Sequence, residues 1–243
     1  GARAIALIGL CNIAGSLASG YIGGRYSKPI FLALIYLGRA AAITVFIMVP
    51  ASPASVLIFS ADIASVGLNW SHPESAAIFG DGAGAVVVGA GEGAVLSHGF
   101  ATYAEGKQAC VLAAGGTRVN PVRGSDEGDN CFQMDGAQAY RLAARYLPDF
   151  LTDLLKRAGL ERDELDAVLP HQASAQALRL MTRALHLPQS KVVDIFWNHG
   201  NQVAASIPTV LDHAVRNGRL QRGDKALLIG TSAGISIGGT VVQ

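Results

Sequence analysis

His171, Asn201 and the run Thr231 to Gly234 are the polar groups of this sequence best placed to act together on one small molecule. Each follows an apolar run short enough to be a buried strand: "DAVLPH" (Asp166 to His171), "KVVDIF" (Lys191 to Phe196) and "KALLIG" (Lys225 to Gly230). In open α/β sheets, ligands gather beyond the carboxyl ends of the strands. At those ends an imidazole, an amide and the glycine-flanked backbone N–H groups of Ser232, Ala233 and Gly234 point to one spot. Such a donor-rich set suits an oxygen that gains negative charge during a reaction. Within "NHGNQVAASIP" (Asn198 to Pro208), Gly200 lets the backbone turn Asn201 inward, and Ala204, Ala205 and Ser206 let the next helix approach closely. Asn198 and His199 are read as braces for that loop.

The elements that must position these groups follow from periodicity. "VLIFS" (Val56 to Ser60) reads as a buried strand, and "AAIFGDGAGAVVVG" (Ala76 to Gly89) as a strand, a tight glycine turn and a second strand. Gly80-x-Gly82 is not a phosphate loop, because no Lys-Ser/Thr and no helix follow it. "AVLSHGFATYA" (Ala94 to Ala104) alternates as a further strand, and the polar, Gly-rich stretch Glu105 to Gly128 reads as a loop. A helix begins near Ala137, with Leu151, Leu154, Leu155 and Ala158 on one face and Gly159 as its stop. Ser174 caps a second helix bearing Leu178, Met181 and Leu185, and a third runs from the Asn201 loop through Val215. The order is that of a layered α/β protein. His72, His98, His186, His213 and Asp81 have no supporting pattern and read as turn or surface residues. Asp135 and Gly136 read as structural, at a helix start.

Charge divides the chain. Up to Ala61 the only charged residues are Arg3, Arg25, Lys28 and Arg39, and all 18 acidic residues lie from Asp62 onward. Ala4 to Gly24 carries no charge, and Pro29 to Ala61 carries only Arg39. Each run is long enough to cross a bilayer as a helix, which takes about 20 apolar residues. With the basic, glycine-rich loop "GYIGGRYSK" (Gly20 to Lys28) between them, residues 1–55 resemble a helix–loop–helix piece of a major facilitator superfamily transporter. The competing reading is a pair of buried helices in an α/β protein. Two spans cannot build the repeat-related bundle that transport requires. The net charge of +1 argues against a nucleic-acid partner. Cys11, Cys110 and Cys131 are too widely spaced for a metal knuckle or a disulfide framework, which points to a reducing compartment. The initial Gly points to a fragment or a processed product, with no convincing signal peptide.

"LPHQAS" (Leu169 to Ser174), "HGNQVAASIP" (His199 to Pro208), "IFGDGAGA" (Ile78 to Ala85) and "GTSAGISIGG" (Gly230 to Gly239) resemble signature segments of β-ketoacyl-ACP synthase III, of the thiolase-like superfamily. The likeness runs over about residues 56–243. It implies a thiolase-like layered α/β fold with a complete carboxyl-terminal half (116–243) and only the end of the amino-terminal half (56–115), behind an apolar helical pair. It implies decarboxylative condensation of an acyl-CoA with malonyl-ACP or malonyl-CoA, in fatty-acid or polyketide-type biosynthesis, with no cofactor or metal. His171 and Asn201 take the place of the residues that hold the malonyl thioester oxygen. Ser232, Ala233 and Gly234 would complete the oxyanion site, supported by Gln172, Ser174 and Gly200. The family's nucleophilic cysteine belongs at the start of a buried helix leading into the strand matched by Val56 to Ser60, and none stands there. Cys11 lies too far upstream, while Cys110 and Cys131 follow the strand they should precede, so the nucleophile is unassigned and the site is expected to be crippled. Ser174 and Gln176 depart from the family's commoner Asn and carrier-docking Arg. The resemblance also implies a cytoplasmic homodimer with acyl carrier protein as a possible partner, and membrane contact only if residues 4–61 insert. The alternative is a non-catalytic, membrane-anchored fragment, or a fusion or assembly product carrying a transporter piece.

Overall fold

The computed structural model describes residues 56–243 apart from 90, 121–123 and 125. The helical pair and transporter-like segment expected over residues 1–55, with Cys11, lie outside the described residues. Ser55–Gln243 cluster as one unit. Among the described residues no helix is long and apolar enough to cross a membrane.

Four strands make the main sheet, in the order β3 (Val95–Gly106), β8 (Gly234–Val242), β7 (Ala226–Ser232), β6 (Ala167–Pro170). β6 and β7 are parallel, and β8 is antiparallel to both its neighbours. Alternation along β7 and β8 splits their side chains between two helical layers. Leu227, Ile229, Ile237 and Val241 face α2 (Gly136–Ala158), whose Leu147, Leu151, Leu154 and Leu155 recur at helical spacing. On the other face Ala226, with Ala167 and Leu169 of β6, meets Val210 and Ala214 of α5 (Ser206–Arg216). Gly159 ends α2 in the left-handed conformation, φ 69°, and Asp135 starts it by accepting the Gln138 N–H at 2.8 Å.

β1 (Val56–Asp62) and β2 (Gly82–Val88) form a separate antiparallel pair. Val56, Ile58 and Phe59 of β1 are exposed. The polar stretch read as a loop contains β4 (Cys110–Leu112), which pairs with β5 (Phe132–Met134) in a two-stranded sheet.

Two expected strands are absent. Ala76 to Gly80 is the end of the short helix α1 (Pro73–Ala76) followed by one bridge, Phe79 to Asn201, and the glycines beyond Asp81 lie in β2 rather than in a turn between two strands. "KVVDIF" is extended but makes only one bridge to β6, Val168 to Val192. Two of its other backbone groups, the Val193 carbonyl and the Ile195 N–H, are taken by a side chain. Gln172, fully buried, donates from Nε2 to the carbonyls of Pro170 (2.9 Å) and Val193 (3.2 Å) and accepts the Ile195 N–H on Oε1 (2.9 Å). A buried amide thus replaces ladder bonds that would otherwise be left unmade.

Candidate active site

His171 follows the last residue of β6, and its N–H continues the ladder to the Ile229 carbonyl of β7 at 2.8 Å. The backbone is therefore fixed by the sheet and the ring is carried past its edge. Burial pushes the imidazole down to about pKa 4, and the Val203 backbone, which favours the charged ring, offsets only part of that. Near neutral pH the ring carries no charge and offers one N–H donor.

Asn201 arrives by a different route. α4 (Phe196–His199) ends at Gly200, whose φ of 65° and ψ of −165° suit only glycine and reverse the chain. The Asn201 backbone is then clamped on both sides by the glycine-rich segment: its N–H donates to Ile78 O at 2.8 Å and its carbonyl accepts from Gly80 N at 3.0 Å. The clamp needs glycines. A Cβ on Gly80 would lie 2.1 Å from the His199 carbonyl oxygen, and one on Gly82 would lie 2.2 Å from Gln202 Nε2. The spacing of two puts Gly82 and Gly84 on one face of β2, against Gln202 and Pro208. This alternation was the available signal that the segment packs against the Asn201 loop.

The Asn201 side chain, 7% exposed, has a fixed sense. Its Oδ1 accepts the Val203 N–H at 2.9 Å, so its Nδ2 faces the Ala173 carbonyl, at 3.3 Å. One amide hydrogen is used there and the other is free for a ligand. Ala173 N in turn bonds the His171 carbonyl at 3.0 Å, so the two candidate donors share one short hydrogen-bonded chain. Val203 contributes to both, and it does so from the left-handed region, φ 52°, which costs a β-branched residue about 1–2 kcal/mol. Its position had no signal in the sequence, and neither had that of Asp62. The Asp62 carboxylate at the end of β1 accepts the Ala205 N–H at 3.1 Å and anchors the approach to α5.

His171 and Asn201 line one cavity of about 1080 Å³. Ser232 and Ala233, at the β7–β8 turn, lie on its wall, as do Ser174 and Cys110, whereas Gly234 beside them does not line it. Ser174 caps α3 (Ala175–Ala184), accepting the Ala177 N–H at 3.1 Å, and Gln172 holds the chain beneath His171. Asn198 is exposed and does not brace the loop, whereas His199 is half-buried with its carbonyl against Gly80, and Ile78, Gly80 and Asp62 hold the backbone around it. Asp81 is exposed, as expected of a surface residue, and accepts two hydrogen bonds from Ser65, which hold its carboxyl below the usual carboxylate range. The Cys110 thiol is pushed up by burial and then by the Asp135 charge.

Residues 155–243 match the profile described as 3-oxoacyl-[acyl-carrier-protein (ACP)] synthase III C terminal, and residues 46–106 match that of 3-oxoacyl-[acyl-carrier-protein (ACP)] synthase III. The second match begins ten residues before the likeness read from the motifs, inside the segment assigned to a transporter, and the comparisons give the transporter resemblance no support. The chain is 33% identical over 191 residues to the β-ketoacyl-[acyl-carrier-protein] synthase III of Clostridioides difficile (strain 630), covering 78% of this chain and 58% of the relative. With the Bordetella petrii enzyme of the same name the identity is 36%, over 77% of this chain and 56% of that one. The crystal structure of the Pseudomonas aeruginosa PAO1 synthase III superposes with a TM-score of 0.68 at 31% identity, covering 78% of this chain and 57% of that one. The fold is therefore thiolase-like, and this chain spans less than two thirds of the length of these relatives.

Proposed function

We propose that this chain, a member of the 3-oxoacyl-[acyl-carrier-protein] synthase III family, carries the decarboxylating part of a malonyl-thioester condensation site. The observation that carries the reading is the pinned amide of Asn201, which shares a cavity and a hydrogen-bonded chain with an uncharged His171. In the proposed step both side chains donate to the thioester carbonyl oxygen. The bond from the α-carbon to the carboxylate breaks, CO₂ leaves, and its electron pair passes into an enolate whose oxygen faces the two donors. With no acyl group to attack, the enolate takes a proton from water and leaves as an acetyl thioester. Neither residue removes a proton, so an imidazole that resists protonation suits the task better than an imidazolium, which would bind the substrate carboxylate and oppose its loss. Donors of this kind contribute about 10²–10³ in rate each. Backbone N–H groups at Ser232 to Gly234 are the proposed third contribution.

Full condensation also needs a cysteine to hold the acyl group, and we infer that this chain forms no acyl-enzyme. Supporting this, Cys110 sits where burial and a neighbouring carboxylate disfavour its thiolate, the reactive form, and Cys131 precedes β5. The acyl-CoA, malonyl-ACP and homodimer implied by the family are proposals on the same footing. The test is CO₂ release from radiolabelled malonyl-pantetheine, together with a denaturing gel after incubation with radiolabelled acyl-CoA. Release above the buffer rate with no label on the protein is expected. A thiol-linked label would overturn the second inference, and no release would overturn the first.

A further inference from the structure

Asp62 and Gly82 face each other across the end of the β1–β2 pair, and both touch the turn that leads from Asn201 into α5. Gly82 packs against Gln202, whose Nε2 donates to the Asp81 carbonyl at 3.1 Å. Asp62 is half-buried and does not line the cavity, so it meets no substrate there. One oxygen of its carboxylate, Oδ2, accepts the Ser60 hydroxyl at 3.0 Å and the Ala205 N–H at 3.1 Å. Ala205, fully buried, closes the single 3₁₀ turn Val203–Ala205 and is the N-cap of α5. A methyl group cannot cap a helix, and the first turn of α5 holds no acidic residue. Asp62 supplies from another strand the carboxylate that this helix start lacks, where the helix dipole favours negative charge.

The turn needs that hold. It opens at Val203 with φ 52°, a conformation that a β-branched residue keeps only against strain. Within the turn the Ala205 N–H also reaches the Gln202 carbonyl, at 3.0 Å, so one hydrogen is shared between two acceptors, and Asp62 is the one that ties the turn to β1. The Val203 N–H in turn fixes the sense of the Asn201 amide, at 2.9 Å from its Oδ1. If Val203 relaxes, that N–H swings away, and the amide is free to turn its oxygen, instead of its Nδ2, toward a ligand. We propose that Asp62 is a positioning residue: acting through Ala205 and the strained turn, it keeps the free amide hydrogen of Asn201 aimed at the thioester oxygen. The inference rests on the malonyl-thioester reading for what the amide does, and on these hydrogen bonds alone for how it is held.

CO₂ release from malonyl-pantetheine is measured for the full chain, Asp62→Ala, Asn201→Ala and the double variant, and backbone hydrogen exchange is read at Val203. Losing a hydrogen bond to a charged acceptor corresponds to about 10- to 100-fold in the population of the held turn. Asp62→Ala should therefore lower kcat about tenfold with KM changed less than about twofold, and should speed exchange of the Val203 N–H about tenfold or more. In the Asn201→Ala background the same substitution should leave the residual rate unchanged, because the amide through which it acts is gone. Asp62→Asn keeps an acceptor oxygen at this point and should restore most of kcat. Asp62→Ser, whose hydroxyl falls one atom short of Ala205, should behave as the Ala variant and serves where that one does not fold. An equal loss with and without Asn201, a kcat left at the wild-type value, or an Asn variant as slow as Ala overturns the proposal. Unchanged Val203 exchange in Asp62→Ala, where the wild type releases CO₂, refutes this inference alone. Faster Val203 exchange in that variant, where the wild type releases none, refutes the functional reading alone.

Discussion

His171 makes the stability of this protein depend on acid in a way that can be worked from its surroundings. The imidazole ordinarily titrates near 6.5 and here is pushed down to about 4, first by burial. Between these values the unfolded chain binds a proton that the folded chain refuses, so stability falls as the pH drops through the window and levels off below about 4. A gap of about 2.5 pH units corresponds to roughly 3 kcal/mol at about 1.4 kcal/mol per unit. That is a large share of the 5–15 kcal/mol typical of a domain. The assay is urea unfolding at a series of pH values for the wild type and for His171→Gln. Other groups titrate in both proteins, so the quantity of interest is the difference between the two curves. It should shift by about 3 kcal/mol against the wild type between pH 7 and pH 4. Proton NMR of the His171 ring should place its titration near 4. A ring titrating above 6, or parallel curves, would refute the claim that burial dominates at this site and, with it, the uncharged donor in the proposed step.

Gly80→Ala should lower the urea midpoint by an amount equivalent to about 1–3 kcal/mol, because the new Cβ would meet the His199 carbonyl, a backbone atom that cannot rotate away. A midpoint unchanged from wild type would show that the clamp on Asn201 is slack. Val203→Asn should raise stability by about 1 kcal/mol, since Asn tolerates the left-handed backbone that strains a β-branched residue. Destabilisation would mean that the Val203 side chain contributes more than its conformation costs.

Much of this arrangement is legible in the residues. The spacing of Leu147, Leu151, Leu154 and Leu155, the Gly159 stop and the Ser174 cap announce α2 and α3, because each records a local requirement of helix geometry. "AVLP" and "ALLIG" announce the parallel pair that delivers His171. "KVVDIF" misleads because its Val192, Val193 and Ile195 are buried like strand residues while its Val193 carbonyl and Ile195 N–H go to Gln172, more than twenty positions earlier. A side chain that stands in for a ladder leaves no periodic trace. The glycines of "GDGAG" mislead for a related reason: they satisfy close approach to His199 and Gln202, distant in sequence, and not a turn. For the site, residue type identified the donors and their strand-end positions, but not which amide hydrogen of Asn201 is free. That is decided by the Val203 N–H and the Ala173 carbonyl.

The most direct test of the account is the rate of CO₂ release from malonyl-pantetheine by the wild type, His171→Ala, Asn201→Ala and the double variant, at neutral pH and saturating substrate. Two donors to one oxygen predict a loss of about 10²–10³ in each single variant, with little change in substrate affinity. The double variant should lose less than the product of the two, because a lone remaining donor already leaves the enolate poorly held. Equal rates in all four proteins would contradict the account outright.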